Sequence, residues 1–228
     1  MKKNLYMLLT MSLAISSQAT VYLYNSATDG GFSATAIPDN NYSGAAFNAN
    51  VVSGSWAITD VKVGLNITGG YNGDLFGYLI HGAGYTVLLN RVGRGTGSDY
   101  GFSTSGMNIF LHDSATLNGN IHGVSSPVSG QEYIADGRTV LPFVGPSSLF
   151  DAPGVANPLA SFNGLTPNGT WTLFLADMSG GGVSTLAGWS LEITAVPEPV
   201  TVALGIFGGL FGIVQCVRYI RRRTSAAQ

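Results

Sequence analysis

The stretch from Trp56 to Thr68, Trp-Ala-Ile-Thr-Asp-Val-Lys-Val-Gly-Leu-Asn-Ile-Thr, decides the fold. It places Val61, Val63, Leu65 and Ile67 on one side of an extended chain and Asp60, Lys62, Gly64 and Asn66 on the other. A period of two is the signature of a strand with one face buried and one face wet. The same alternation returns at Trp171, Leu173 and Leu175. It returns again at Trp189, Leu191 and Ile193, set against Ser190, Glu192 and Thr194. These segments are predicted to be half-buried strands of antiparallel sheets.

Shorter β-like runs lie between them: Leu75 to Ile80, Tyr85 to Leu89, Met107 to Leu111 and Thr139 to Phe143. Clusters such as Gly69-Gly70-Tyr71-Asn72-Gly73 and Ser179-Gly180-Gly181-Gly182 separate them. Glycine supplies the positive φ that tight turns need, so its abundance marks turns between short strands. No amphipathic helix of useful length precedes the C-terminal segment, and no internal repeat favours a propeller or solenoid. The expected fold is all-β, a jelly-roll β-sandwich.

The two ends carry different information. Lys2 and Lys3 precede an apolar stretch from Leu5 to Ile15, followed by the small residues Ser17-Gln18-Ala19, so residues 1–19 read as a signal peptide for the Sec export machinery and signal peptidase. At the other end, Val196-Pro197-Glu198-Pro199 is followed by an apolar run from Val200 to Val217 and then by Arg218, Arg221, Arg222 and Arg223. A run of about 18 residues suffices to cross a hydrocarbon core as a single transmembrane helix. The arginines would hold its far end in the cytoplasm and everything before Pro197 outside. The expected division is thus a signal peptide at 1–19, a lead-in at 20–31, the sandwich at 32–195, a tail signal at 196–223 and a cytoplasmic end at 224–228. Within the tail signal the helix occupies 200–217 and the basic cluster 218–223.

Charge and cysteine usage follow the same division. Of ten Lys and Arg, six belong to the terminal segments, which leaves Lys62, Arg91, Arg94 and Arg138. All twelve Asp and Glu lie on the exported side of the apolar run. An acidic body argues against nucleic acid or anionic lipid as a partner and leaves room for divalent cations. The one cysteine, Cys216, lies in the apolar tail, so the body forms no disulfide. Roughly 175 residues from Thr20 to Thr194 can bury an adequate single core without one.

Two resemblances add to this reading. Ile37-Pro38-Asp39-Asn40, Ile58-Thr59-Asp60-Val61-Lys62-Val63, Asn66-Ile67-Thr68 and Gly73-Asp74-Leu75 resemble the first half of the P domain (P/Homo B) of subtilisin-like proprotein convertases. Phe110-Leu111-His112-Asp113-Ser114-Ala115, Gly169 to Asp177 and Leu186-Ala187-Gly188-Trp189-Ser190-Leu191 resemble its second half, in family order. Gly69 stands where the family commonly has histidine, and residues 119–160 match poorly. The resemblance implies a jelly-roll sandwich. The tail resembles the PEP-CTERM sorting signal of Gram-negative bacteria. That implies recognition by an exosortase-like transpeptidase and transfer of the body from the inner membrane to the cell surface or extracellular matrix. Two prolines keep the motif extended and outside the helix, open to an enzyme's cleft.

Chemistry in the body is sparse. His81, His112 and His122 are scattered, Ser126 sits near His122 without a Gly-x-Ser-x-Gly elbow, and no zinc-type spacing occurs. Gly93-Arg94-Gly95-Thr96-Gly97 lacks the ending of a phosphate loop and reads as a turn. No catalytic set is expected. Calcium is the one cofactor to weigh, with Asp60, Asp74, Asp113 and Asp177 at strand ends or turns as candidate ligands and Asp74 with Asp177 as the leading pair. Gly205, Gly208, Gly209 and Gly212 offer a flat face on the tail helix. The leading expectation is a non-catalytic surface or matrix protein in an exopolysaccharide-rich envelope. Its alternatives are a carbohydrate-binding adhesin using Tyr71, Tyr78, Tyr85 and Tyr100, a hydrolase, or an accessory domain for a protease on another chain.

Overall fold

A computed structural model describes residues 18–54, 56–115, 117–197 and 199–225, with side chains of the C-terminal helix described over 204–219 and at 222. The expected signal peptide falls almost wholly outside these residues, as does Glu198 of the Pro-Glu-Pro motif. The chain divides into two compact units, one of residues 19–196 and one that includes the C-terminal helix.

The first unit is an all-β sandwich. One sheet has the order β1 (Thr20–Asn25), β10 (Ser184–Pro197), β4 (Trp56–Gly69), β7 (Met107–His112) and β8 (Glu132–Tyr133), with β2 (Thr35–Ala36) paired to β10. The other has the order β3 (Asn41–Val51), β9 (Gly169–Asp177), β5 (Leu75–His81) and β6 (Gly84–Asn90). From β3 onward the chain repeatedly changes sheet: β4 returns to the first, β5 and β6 lie in the second, β7 and β8 in the first, β9 in the second and β10 in the first.

The alternation read from the sequence places the core as expected. Val61, Val63, Leu65 and Ile67 of β4 are each at most 1% exposed, and Trp171, Leu173 and Leu175 of β9 are fully buried. Trp189, Leu191 and Ile193 of β10 complete the same cluster. Burying each such aliphatic side chain contributes about 1.5–3 kcal/mol, which is how a body without disulfides holds together.

Several elements differ from expectation. Residues 139–143 form no strand. Two of their carbonyls are taken by side chains: Asn90 Nδ2 donates to that of Val140 at 2.8 Å and Arg94 Nη1 to that of Pro142 at 2.9 Å. Pro142 also lacks the N–H a ladder would use. The segment 20–31, read as a lead-in, supplies β1, which pairs with β10 from Thr20↔Ala195 to Asn25↔Ser190. β3 was not foreseen, because only Phe47, Ala49 and Val51 of its eleven residues are buried and its remaining positions are mostly small or polar.

The second unit contains α2 (Pro199–Ser225), a helix of 27 residues. Among the described residues no helix is long and apolar enough to cross a membrane. The expected span at 200–217 lies partly outside the described side chains. Those described along it are exposed except the half-buried Ile206, and include Leu204, Phe207, Phe211 and Cys216.

Candidate functional site: a cleft beside Asp74 and Asp177

The junction between β4 and β5 is a 3-10 turn, Asn72–Asp74, and the segment 100–106 is stitched onto it. Asn72 N donates to the Thr104 carbonyl at 2.8 Å, and its Nδ2 donates to Thr104 Oγ1 and the Gly106 carbonyl. Gly73 N donates to the Phe102 carbonyl at 2.9 Å. The approach is so close that a Cβ on Gly73 would lie 2.5 Å from the Tyr100 carbonyl oxygen, so only glycine fits there.

Arg91 locks this corner from beneath. It is 5% exposed and holds a left-handed backbone at φ 53°. Its Nε donates to the Gly73 carbonyl at 2.6 Å, its Nη2 donates to Ser179 Oγ at 3.0 Å, and Nη2 lies 3.6 Å from Asp74 Oδ1. Burial lowers the guanidinium below its ordinary value, with Asp74 opposing. The same burial pushes the Asp74 carboxyl up, against the pull of Arg91 and a hydrogen bond with Ser179.

Asp177 ends β9 directly opposite Leu75 and Asn41 and is fully buried. Its Oδ1 accepts from Ser179 N at 3.2 Å, whereas Oδ2 has no hydrogen-bond partner. Burial is the main reason its carboxyl is pushed up to about 6. Asp74 and Asp39 add to the shift, while Ser179 N and Arg91 oppose it.

Beside this group opens a cavity of about 520 Å³, lined among others by Asn40, Tyr71, Asp74, Tyr100, Phe102 and Ser179. Of the four loop tyrosines singled out from the sequence, two meet here. Tyr78 and Tyr85 lie instead on the outer face of the second sheet, where Tyr78 stacks on Phe174 at 4.6 Å and packs against Tyr85.

The four candidate calcium ligands do not converge. Asp74 and Asp177 are neighbours, as their motif positions suggested, but Asp60 and Asp113 are engaged elsewhere. Asp60 Oδ2 pairs with His112 Nε2 at 2.8 Å on the first sheet. Asp113 accepts from Leu159 N and Ala160 N, capping the 3-10 turn Pro158–Phe162. Among the described residues no group of three or more His, Cys, Asp or Glu is placed to hold a metal. With a guanidinium already beside Asp74, the remaining pair does not fit a cation that needs six or more oxygen ligands.

The Gly93–Gly97 segment is a turn, closed by reciprocal backbone bonds between Gly95 and Ser98 and by Thr96 bound to Asp151. The sequence reading missed Arg91 and Ser179. The available signal was that Arg91 is one of only four basic residues left to the body.

No family model matches this sequence. No curated protein matches it either. The chain is similar to a solved structure described as the Aeromonas sobria serine protease (ASP) and chaperone (ORF2) complex. The identity is 14% and the TM-score 0.43, over 79% of this chain and 28% of that one. This chain therefore spans little more than a quarter of the length of that relative. At that distance the likeness bears on neither the fold nor the function.

Proposed function

We propose that this protein is an exported, non-catalytic surface or extracellular-matrix protein. On this reading a P-domain-like sandwich of jelly-roll connectivity is presented as a binding module, and a PEP-CTERM-type tail is sorted by an exosortase-like enzyme. The observation that carries the reading is the order of parts at the C-terminus. The last strand of the sandwich runs to Pro197 and helix α2 begins at Pro199, so the two prolines of the motif close one element and open the next. Proline suits the first position of a helix and is excluded from its interior, so Pro199 fixes where α2 begins. The apolar run Val200–Val217 is then the membrane span and the arginines after it the cytoplasmic stop.

The histidines support a non-catalytic body. His81 has both ring nitrogens on backbone carbonyls, of Thr170 at 2.9 Å and Thr166 at 2.7 Å. His112 lies between Asp60 and Glu132, and His122 between Asp136 and the Arg94 carbonyl. Each ring nitrogen is used in holding the fold, and among the described residues none is hydrogen-bonded to a hydroxyl it could activate.

Mass spectrometry of the mature protein from its own cells tests the sorting. The expected result is an N-terminus at Thr20 and a C-terminus near the Pro-Glu-Pro motif. An intact C-terminal helix in every molecule would overturn the sorting reading and leave a membrane-anchored domain.

A further inference from the structure

We propose that the cleft beside Asp74 binds a neutral glycan, with a pyranose stacked on the rings of Tyr71 and Tyr100 and its hydroxyls bonded to Asn40, Asp74 and Ser179. The proposal rests on the binding-module reading above and supplies its ligand class. Three properties of the cleft point there.

The first is preorganisation. Asn40, on the lining, and Arg91, beneath it, are the two non-glycine residues with left-handed backbones among the described residues, at φ 47° and 53°. Such conformations cost free energy, least for Asn and more for Arg, and those that persist because the surroundings hold them cluster at functional sites. Gly73 and Gly101 serve the same corner. A Cβ on Gly101 would lie 2.5 Å from the Val92 carbonyl oxygen, so the Tyr100–Phe102 wall depends on backbone contacts that no larger residue permits.

The second is the lining. Tyr100 is 75% exposed and Tyr71 42%, so two amphipathic rings are held open at the cleft. Around them stand Asn40, Ser103 and Ser179, and the one lining carboxylate, Asp74, has Arg91 beside it. Among the described residues no Lys, Arg or His lines the cavity, which disfavours phosphates and acidic polymers, and its polar groups disfavour a lipid tail. Flat apolar rings beside fixed hydroxyl, amide and carboxylate groups match a sugar, which is apolar on its ring faces and polar around its rim. A volume of about 520 Å³ lies within the range of small-molecule sites.

The third is the contrast with the other aromatic group. On the second sheet Tyr78 and Phe174 stand parallel, 13° apart, and so cover one another's faces. That cluster has spent on itself the surface a sugar would need.

The test uses the full-length chain in detergent micelles. Affinity electrophoresis is run through gels containing a soluble mannan, xylan or β-glucan, with choline as a competing cation. At least one neutral polysaccharide is expected to retard the protein. Tyr100→Ala should weaken that retardation about tenfold, the effect of one lost stacking contact and its hydrogen bonds, with no change in melting temperature. Asn40→Gly keeps the left-handed backbone and removes the amide, and should weaken it as well. Tyr85→Ala should change nothing. Three results would overturn the proposal: no retardation by any of the three polymers, loss in Tyr85→Ala with Tyr100→Ala unaffected, or displacement by choline. None of them would touch the processing of the tail, which the mass spectrum reads separately.

Discussion

Two of the body's clusters of carboxylates and bases are opposites. On the outer side of the first sheet, Lys62 Nζ reaches Glu132 Oε1 at 2.9 Å, while His112 lies between Asp60 and Glu132. The carboxylates there are 40–45% exposed. The hydrogen bond from Lys62, helped by one from His112, holds the Glu132 carboxyl below its usual range. At the cleft, Asp74 and Arg91 are only 6% exposed, and Asp177 keeps a buried oxygen with no partner. There both carboxyls are pushed up instead. The charges are alike, and the direction of the shift is set by water. At Glu132, where solvent remains, the partner wins; at Asp74 and Asp177, where little remains, desolvation wins even with a guanidinium at hand.

The largest effect that separates the clusters is removal of the buried base. Arg91→Ala leaves the Gly73 carbonyl and Ser179 Oγ without their donor and the nearly buried Asp74 without its ion-pair partner. The expected cost is about 3–5 kcal/mol, read as a fall in denaturation midpoint or as failure to accumulate folded protein. Lys62→Ala should cost less than about 1 kcal/mol. Equal losses in the two variants would erase the distinction.

That distinction was only half legible in the sequence. Alternation alone placed Val61, Val63, Leu65 and Ile67 inward, because a strand's side chains have no other freedom. Asp74 and Asp177 could be paired through their motif positions at two strand ends. Arg91 could not, because its role depends on a left-handed backbone and on the turn 72–74 lying across it. Tyr71 and Tyr100 meet only because glycine at positions 73 and 101 lets two loops touch, and spacing carries no trace of such a contact. The run at 139–143 failed for a related reason. Its β-like composition was real, but the side chains of Asn90 and Arg94 took its carbonyls first.

A second difference between the clusters lies in pH. The Asp177 carboxyl is raised from its usual 3.8 to about 6, so the folded chain binds this proton more tightly than the unfolded one. Its contribution is fully present below about pH 4 and is lost as pH rises through 6. Asp74, also raised, acts in the same sense. The chain should therefore melt at a lower temperature at pH 7 than at pH 4.5, by an amount equivalent to about 1–3 kcal/mol. Asp177→Asn, which carries no charge at either pH, should remove most of that slope. An unchanged slope in this variant would assign the effect to other groups.

The smallest effect belongs to the surface cluster, and it runs the other way in pH. Glu132 is held below its usual value of 4.5. Its contribution is therefore present above that pH and lost as pH falls through the lowered value, which partly offsets the gain from Asp177 in acid. With 40% of the Glu132 side chain exposed, the Lys62–Glu132 coupling should be about 0.2–1 kcal/mol at low ionic strength and should shrink in salt. A double-mutant cycle with Lys62→Met and Glu132→Gln, measured at low and high salt near pH 7, isolates that pairwise term. A coupling of several kcal/mol that survived salt would mean the cluster is covered in the mature protein. The outer side of the first sheet would then be an interface, where covering protein excludes the water and salt that otherwise screen its charges.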